Sequence, residues 1–286
     1  MSTTVVKELT SKDGTVIYAD AIGDPSKPHV VFVHGLSLSG AVFNDMFADA
    51  RYNSEFYLVR YDMRGHGRSG KPEAEESYSS ERYAEDYLAV AHAFDLKRPV
   101  FVGWSMGATV VVDIAQYLPH DTLSGVVYLT GLPYVGDIMG KVGSTEVLRM
   151  VNILCTNDDV TSFTKTKADF VESLFTQPDS VPYDLKMFWL GISMAQNPTV
   201  AGRVLRRPQD PTALYAWAKE GLPLLILSGS EDKQVLGQRL GEEMERYFTN
   251  LTIRVFDGLG HALFYEDPEN VYSTIFDFAR KVLKAL

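Results

Sequence analysis

Apolar residues in this chain fall into two kinds of pattern, short unbroken runs and stretches in which they recur every three or four positions. Val100-Phe101-Val102 is an unbroken run, and from Ala108 to Tyr117 the spacing is helical. Residues 4–10 and 16–21 are strand-like and joined by Ser11-Lys12-Asp13-Gly14, a hairpin turn. Residues 29–33, 56–61 and 123–129 are further strand candidates, and 29–33 is apolar throughout, as in a parallel strand covered on both faces. Helices are expected over 41–50 and from Ser79 or Ser80 to Phe94. After a long interruption the alternation resumes with a strand at 223–228, a helix at 235–247, a strand at 252–256 and a helix at 268–284. Asp267 and Pro268 supply the last helix with a cap and a first-turn proline. Strand–helix alternation of this kind builds an α/β fold, a doubly wound, mostly parallel twisted sheet of about eight strands flanked by helices.

The interruption, residues 133–217, follows the sixth strand and carries helical patterns rich in Met, Phe and Leu. Met139, Met150, Phe163, Phe170, Phe175, Met187, Phe188, Trp189 and Met194 are expected mostly to pack within it. An insertion at one point of a sheet is expected to fold over it, and a Met- and Phe-lined cover suits an apolar ligand. The expected organisation is therefore a core of residues 1–132 and 218–286 with a helical lid at 133–217.

Composition narrows the partners. Across 286 residues, 45% hydrophobic and 22% charged content are globular values, and 27 basic against 37 acidic residues give a net charge of −10. That balance argues against nucleic acid or an anionic membrane as partner. Cys155 is the sole cysteine, so no internal disulfide forms. The first fourteen residues lack the apolar core of a signal peptide, and no run approaches the roughly 18 apolar residues of a membrane span. A cytoplasmic protein with a small-molecule substrate is expected, its oligomeric state open.

Candidate chemistry centres on Gly103-Trp104-Ser105-Met106-Gly107, between the expected strand and helix. So tight a reversal forces unusual backbone angles on Ser105 and sets its hydroxyl beside the first amides of a helix. Two more strand ends carry matching groups: Asp232 in Gly229-Ser230-Glu231-Asp232, and His261 in Gly258-Leu259-Gly260-His261. A serine hydroxyl is a poor nucleophile unless a base takes its proton, and an imidazole both accepts that proton and returns it to a leaving group. A carboxylate orients the imidazole and stabilises its cation. Ser105, His261 and Asp232 are the candidates for these roles, with the backbone N–H groups of Leu36 and Met106 as oxyanion donors, each such donor contributing about 3 kcal/mol. Trp104 is expected to pack beneath the turn. His34, His66 and Asp62 invite a metal reading, but their spacing matches no zinc motif, so a structural turn and no metal or cofactor are expected.

These pieces resemble the α/β-hydrolase fold superfamily, in its lid-bearing serine carboxylesterase-like branch. The resemblance rests on His34-Gly35, on Asp62, Arg64, Gly65, Gly67 and Ser69, on Gly103, Ser105 and Gly107, on Gly229 and Asp232, and on Gly260-His261. It spans nearly the whole chain outside the insertion and implies Ser105, Asp232 and His261 as triad. It also implies a structural role for residues 62–69. Lys233-Gln234-Val235-Leu236 departs from the pattern in lacking the proline often found soon after the acid.

Related dehalogenases and epoxide hydrolases carry Asp at the elbow, so Ser105 directs the reading to acyl transfer. The expected activity is hydrolysis of a carboxylic ester of a small-to-medium, neutral, fairly apolar substrate through an acyl-enzyme. Carbon–carbon bond hydrolases, perhydrolases and thioesterases share the triad, and a hydrolase-like receptor for a small ligand can retain it. The lack of a Gly-rich run after His34-Gly35 disfavours the hormone-sensitive-lipase-like branch. An acidic carrier protein as substrate is disfavoured by the net charge.

Overall fold

The computed structural model describes residues 4–284. Residues 1–3 and 285–286, which belong to the expected core segments, lie outside the described residues, as does the start of the polar N-terminal stretch. Strands β1 (Val5–Thr10) and β2 (Val16–Ile22) form the expected hairpin, followed by β3 (His29–Val33), helices α1 (Asn44–Ala48) and α2 (Ala50–Asn53), and β4 (Tyr57–Tyr61). Then come α3 (Ser80–Ala93), β5 (Val100–Trp104), α4 (Val110–Tyr117) and β6 (Gly125–Leu129). Between β6 and β7 stand six helices: α5 (Ile138–Val142), α6 (Thr145–Leu154), α7 (Val160–Glu172), α8 (Tyr183–Met194), α9 (Pro198–Arg206) and α10 (Thr212–Lys219). The chain closes with β7 (Leu224–Gly229), α11 (Gly237–Met244), β8 (Leu251–Phe256), the short α12 (Leu263–Glu266) and α13 (Pro268–Lys284).

The eight strands form one sheet in the order β1-β2-β4-β3-β5-β6-β7-β8. Only β2 runs antiparallel to its neighbours β1 and β4; the remaining pairs are parallel. Alternate residues of the central strands serve two cores. Val31, Val33, Phe101, Val126, Tyr128, Leu224 and Ile226 face α3, α4, α10 and α11. Val30, Phe32, Val100, Val102, Trp104, Val127, Leu129, Leu225 and Leu227 join residues of α1, α2, α12 and α13. Both faces are covered, which is why these strands are apolar at nearly every position, His29 and Ser228 near their ends excepted. After β3 the chain adds β4 on one side, and β5 then returns to the other side of β3. The crevice between the ends of β3 and β5 is thus a switch point, where ligand sites form in open parallel sheets.

Three elements differ from expectation. The helix expected over 41–50 is a 3₁₀ turn (Gly40–Phe43) followed by two short helices, because Asp49 leaves helical geometry and its carboxylate caps α2 at the Arg51 N–H. The helix after Ser105 begins as a 3₁₀ turn (Ser105–Thr109), and α11 starts later than expected. In the helical segment, Met150, Phe175 and Trp189 are buried, whereas Met187, Phe188 and Met194 of α8 are partly exposed. Its last helix, α10, packs against α4 of the core.

Candidate active site

Ser105 follows β5 with φ +53°, a left-handed conformation that a residue with a side chain adopts at a cost of about 1 kcal/mol. Strand and helix approach so closely that the flanking glycines leave no room for a methyl. A Cβ on Gly103 would lie 2.3 Å from the Ala108 Cα, and one on Gly107 2.3 Å from the Val33 carbonyl oxygen. Trp104 is fully buried and packs beneath the turn, against Phe264 at 5.0 Å and Trp189 at 6.0 Å between ring centroids.

His261 follows β8 and Asp232 follows β7, and the structure brings the two together. The imidazole Nδ1 lies 3.0 and 2.9 Å from the two carboxylate oxygens of Asp232, with both side chains buried. Asp232 Oδ1 also accepts from the N–H groups of Gln234 and Val235, at 2.7 and 3.1 Å. The carboxylate thereby shapes its own loop in place of the missing proline, ahead of α11, which begins at Gly237. The ring of His261 stands 5.7 Å from the indole of Trp104, the residue next to Ser105. Among the described residues His261 Nε2 is buried with no hydrogen-bond partner, so the Ser105 hydroxyl is not bonded to it in this structure. Two side chains clamp the backbone of this histidine: its carbonyl accepts from Trp104 Nε1 and from Thr130 Oγ1, each at 3.0 Å.

Ser105, Leu36 and Met106 border one cavity of about 60 Å³, closed by Leu132, Met139 and Phe170 among others. Gln234 is its other polar lining residue, and no charged side chain lines it. The Gly35–Leu38 turn brings Leu36 to this cavity; it is closed by the Leu38 N–H donating to the Gly35 carbonyl at 3.3 Å. Among the described residues the Leu36 amide donates to no acceptor of the chain.

His34 and His66 are buried, neutral rings with centroids 5.1 Å apart. His34 Nε2 accepts from the Met63 N–H at 3.0 Å, which leaves Nδ1–H to donate to the Gly35 carbonyl at 2.8 Å. His66 Nε2 accepts from the Gln196 amide at 2.8 Å, and its Nδ1–H donates to the Arg64 carbonyl at 3.0 Å. Burial pushes both imidazoles down in pKa, His66 well below the ordinary range. Their lone pairs are therefore engaged by amides. Asp62 accepts from the Gly40 and Arg68 N–H groups, each at 2.8 Å, so residues 62–69 form a braced turn.

Sequence reasoning missed a set of polar residues that join the helical segment to this site. Lys167 of α7 and Gln196, beyond α8, both reach Ser37. Arg207, after α9, donates to Thr109 Oγ1 at 2.7 Å, and that hydroxyl donates to the Met106 carbonyl, also at 2.7 Å. Arg207 also pairs with the buried Asp113 at 3.1 Å. In the sequence these cations are ordinary polar positions of amphipathic helices, and only their common proximity to the Ser105 region sets them apart.

Comparison with known proteins places this geometry. The alpha/beta hydrolase family model matches residues 30–274. The bifunctional esterase/perhydrolase DCH of Acinetobacter calcoaceticus is 25% identical over 284 residues, covering 95% of this chain and 99% of that protein. The AB hydrolase superfamily protein YisY of Bacillus subtilis is 24% identical, covering 95% and 98%. Among solved structures, the esterase RhEst1 from Rhodococcus sp. ECU1013 superposes with a TM-score of 0.83 at 26% identity, covering 97% of this chain and 99% of that one. No helix among the described residues is long and apolar enough to cross a membrane. A switch-point serine on a strained turn, a paired acid and histidine on the strands beyond it, and a match from β3 to the last helix make this chain a member of the alpha/beta hydrolase family.

Proposed function

We propose that the protein is a serine hydrolase acting on carboxylic esters of small-to-medium, neutral, fairly apolar substrates. One observation carries this reading: a buried Asp232–His261 pair with a free Nε2 packs against Trp104, the residue before a serine that lines an uncharged cavity. With the Nδ1 proton engaged by Asp232, Nε2 is left as the acceptor for the Ser105 hydroxyl proton. Oγ attacks the ester carbonyl, and the oxyanion is received by the amides of Leu36 and Met106. The imidazolium hands its proton to the departing alcohol, leaving an acyl-enzyme. Water then attacks, giving its proton to His261, and the carboxylic acid leaves as Ser105 regains its hydrogen.

The cavity supports the substrate class. Volume of about 60 Å³ suits an acyl chain of a few carbons, and a charged acyl group would find no counter-ion on its walls. Residues 133–217 are proposed as the lid, since Met139 and Phe170 close the cavity from that segment. A second reading, perhydrolysis, is favoured by the DCH relative, whose name records both activities. There hydrogen peroxide would replace water at the acyl-enzyme and release a peracid.

The test is labelling with a fluorophosphonate and turnover of p-nitrophenyl esters of increasing acyl length. Wild type is expected to gain one phosphonyl adduct and to prefer acetate or butyrate over long chains. Ser105→Ala is expected to lose the adduct and on the order of a millionfold in turnover. An adduct or undiminished turnover in that variant contradicts the proposal, and labelled wild type with peracid as main product under peroxide favours the second reading.

A further inference from the structure

Lys167 is completely buried, and among the described residues its ammonium bonds to a hydroxyl and a carbonyl with no carboxylate paired to it. Its ammonium donates to Ser37 Oγ at 3.1 Å and to the Ser193 carbonyl at 2.7 Å, and it lies 5.4 Å from the Phe163 ring centroid. Burying an unpaired cation is costly, and a methionine would fill much the same space without that cost. The position therefore calls for something an ammonium does and a thioether does not.

What it grips is the turn that carries Leu36. Gly35, Leu36, Ser37 and Leu38 form that turn, and its third residue, Ser37, has φ +62°. Glycine is the residue that adopts such a conformation freely, and serine adds about 1 kcal/mol of strain. Serine contributes in exchange a hydroxyl, which accepts from Lys167 and donates to Gln196 Oε1 at 2.7 Å. Gln196 in turn donates to the Gly65 carbonyl at 3.0 Å and to His66 Nε2 at 2.8 Å. The Ser37 hydroxyl is thus held from two directions by the helical segment, next to Leu36, which lines the cavity.

We propose that Lys167 is a positioning residue for the oxyanion loop: by holding Ser37 it fixes the direction of the Leu36 N–H. This inference rests on the proposed serine-hydrolase reading. A donor fixed in place before reaction acts on the charge that develops in the transition state and little on the neutral ground state. Loss of Lys167 should therefore appear in kcat, with KM left alone.

The experiment compares wild type, Lys167→Met, Ser37→Ala and the double variant on p-nitrophenyl acetate, with an aryl trifluoromethyl ketone as transition-state analogue. Lys167→Met is expected to lower kcat by about tenfold or more with KM within about twofold, and to weaken the ketone in proportion to kcat/KM. Ser37→Ala is expected to show the same split, and the double variant no greater loss than the larger single one. Should Lys167→Met fail to fold, Ser37→Ala decides on the same split. Wild-type kcat in the folded variants, or a loss confined to KM, overturns the inference. A wild type that takes no fluorophosphonate overturns the functional reading as well. A labelled wild type with full turnover in both variants overturns this inference alone.

Discussion

Ser37, Ser105 and Thr130, with φ of +62°, +53° and +44°, close three neighbouring strands, β3, β5 and β6, in a conformation that side chains disfavour. Each residue has a hydroxyl: that of Ser105 lines the cavity, that of Ser37 meets Lys167, and that of Thr130 meets the His261 carbonyl. Strain of about 1 kcal/mol apiece is thus concentrated around the candidate site. Lys167 adds to it. Burial lowers its pKa from 10.5 to about 8, only partly opposed by the nearby Cys155. Below pH 8 the ammonium is charged in both folded and unfolded chains, and its burial disfavours the fold. Between about 8 and 10.5 the folded chain gives up the proton while the unfolded chain keeps it, so stability from this group rises with pH. The full window corresponds to on the order of 3 kcal/mol. We expect the melting temperature of Lys167→Met to be no lower than wild type at pH 7, with wild type gaining on the variant from pH 8 to 10. A difference that stays flat with pH contradicts this account of the buried cation.

At the scale of elements, the elbow depends on close approach. A methyl at position 107 would stand 2.3 Å from the Val33 oxygen and 2.5 Å from that of His34, both backbone atoms at the end of β3. Gly107→Ala must push the elbow away from the loop that carries Leu36. We expect a loss of about 3 kcal/mol in urea unfolding together with reduced turnover; a wild-type midpoint contradicts it. The strands, the elbow and the acid–histidine order were legible in the sequence, because apolar runs and glycines at fixed offsets are local signals. The break at Asp49 and the late start of α11 were not. At Asp49 the carboxylate takes the Arg51 amide that one continuous helix would use, and ahead of α11 residues 234–236 bond to residues 142–144 instead of entering the helix. Such competition leaves the apolar spacing of the flanking residues unchanged, so periodicity does not report it.

For the whole molecule, the helices between β6 and β7 are tied to the loops around Ser105 and Asp232 by polar contacts. Lys167 and Gln196 reach the turn after β3, Arg207 reaches Thr109 behind Met106, and the Leu236 N–H donates to the Val142 carbonyl at 2.7 Å, joining the acid loop to α5. None of these contacts was legible, since Lys167 and Ser37 stand far apart along the chain and a lysine on an amphipathic helix reads as solvated. For His34 and His66 the structural turn was legible but the partners were not: amides from Met63 and Gln196 engage their ring nitrogens.

The central claim is that Ser105, His261 and Asp232 act as one unit, and kinetics on Ser105→Ala, His261→Ala and the double variant test it most directly. If the residues share one proton-transfer step, each single variant loses on the order of a millionfold in ester turnover and the double variant loses no more. Losses that multiply in the double variant, or turnover near wild type in either single one, would contradict it.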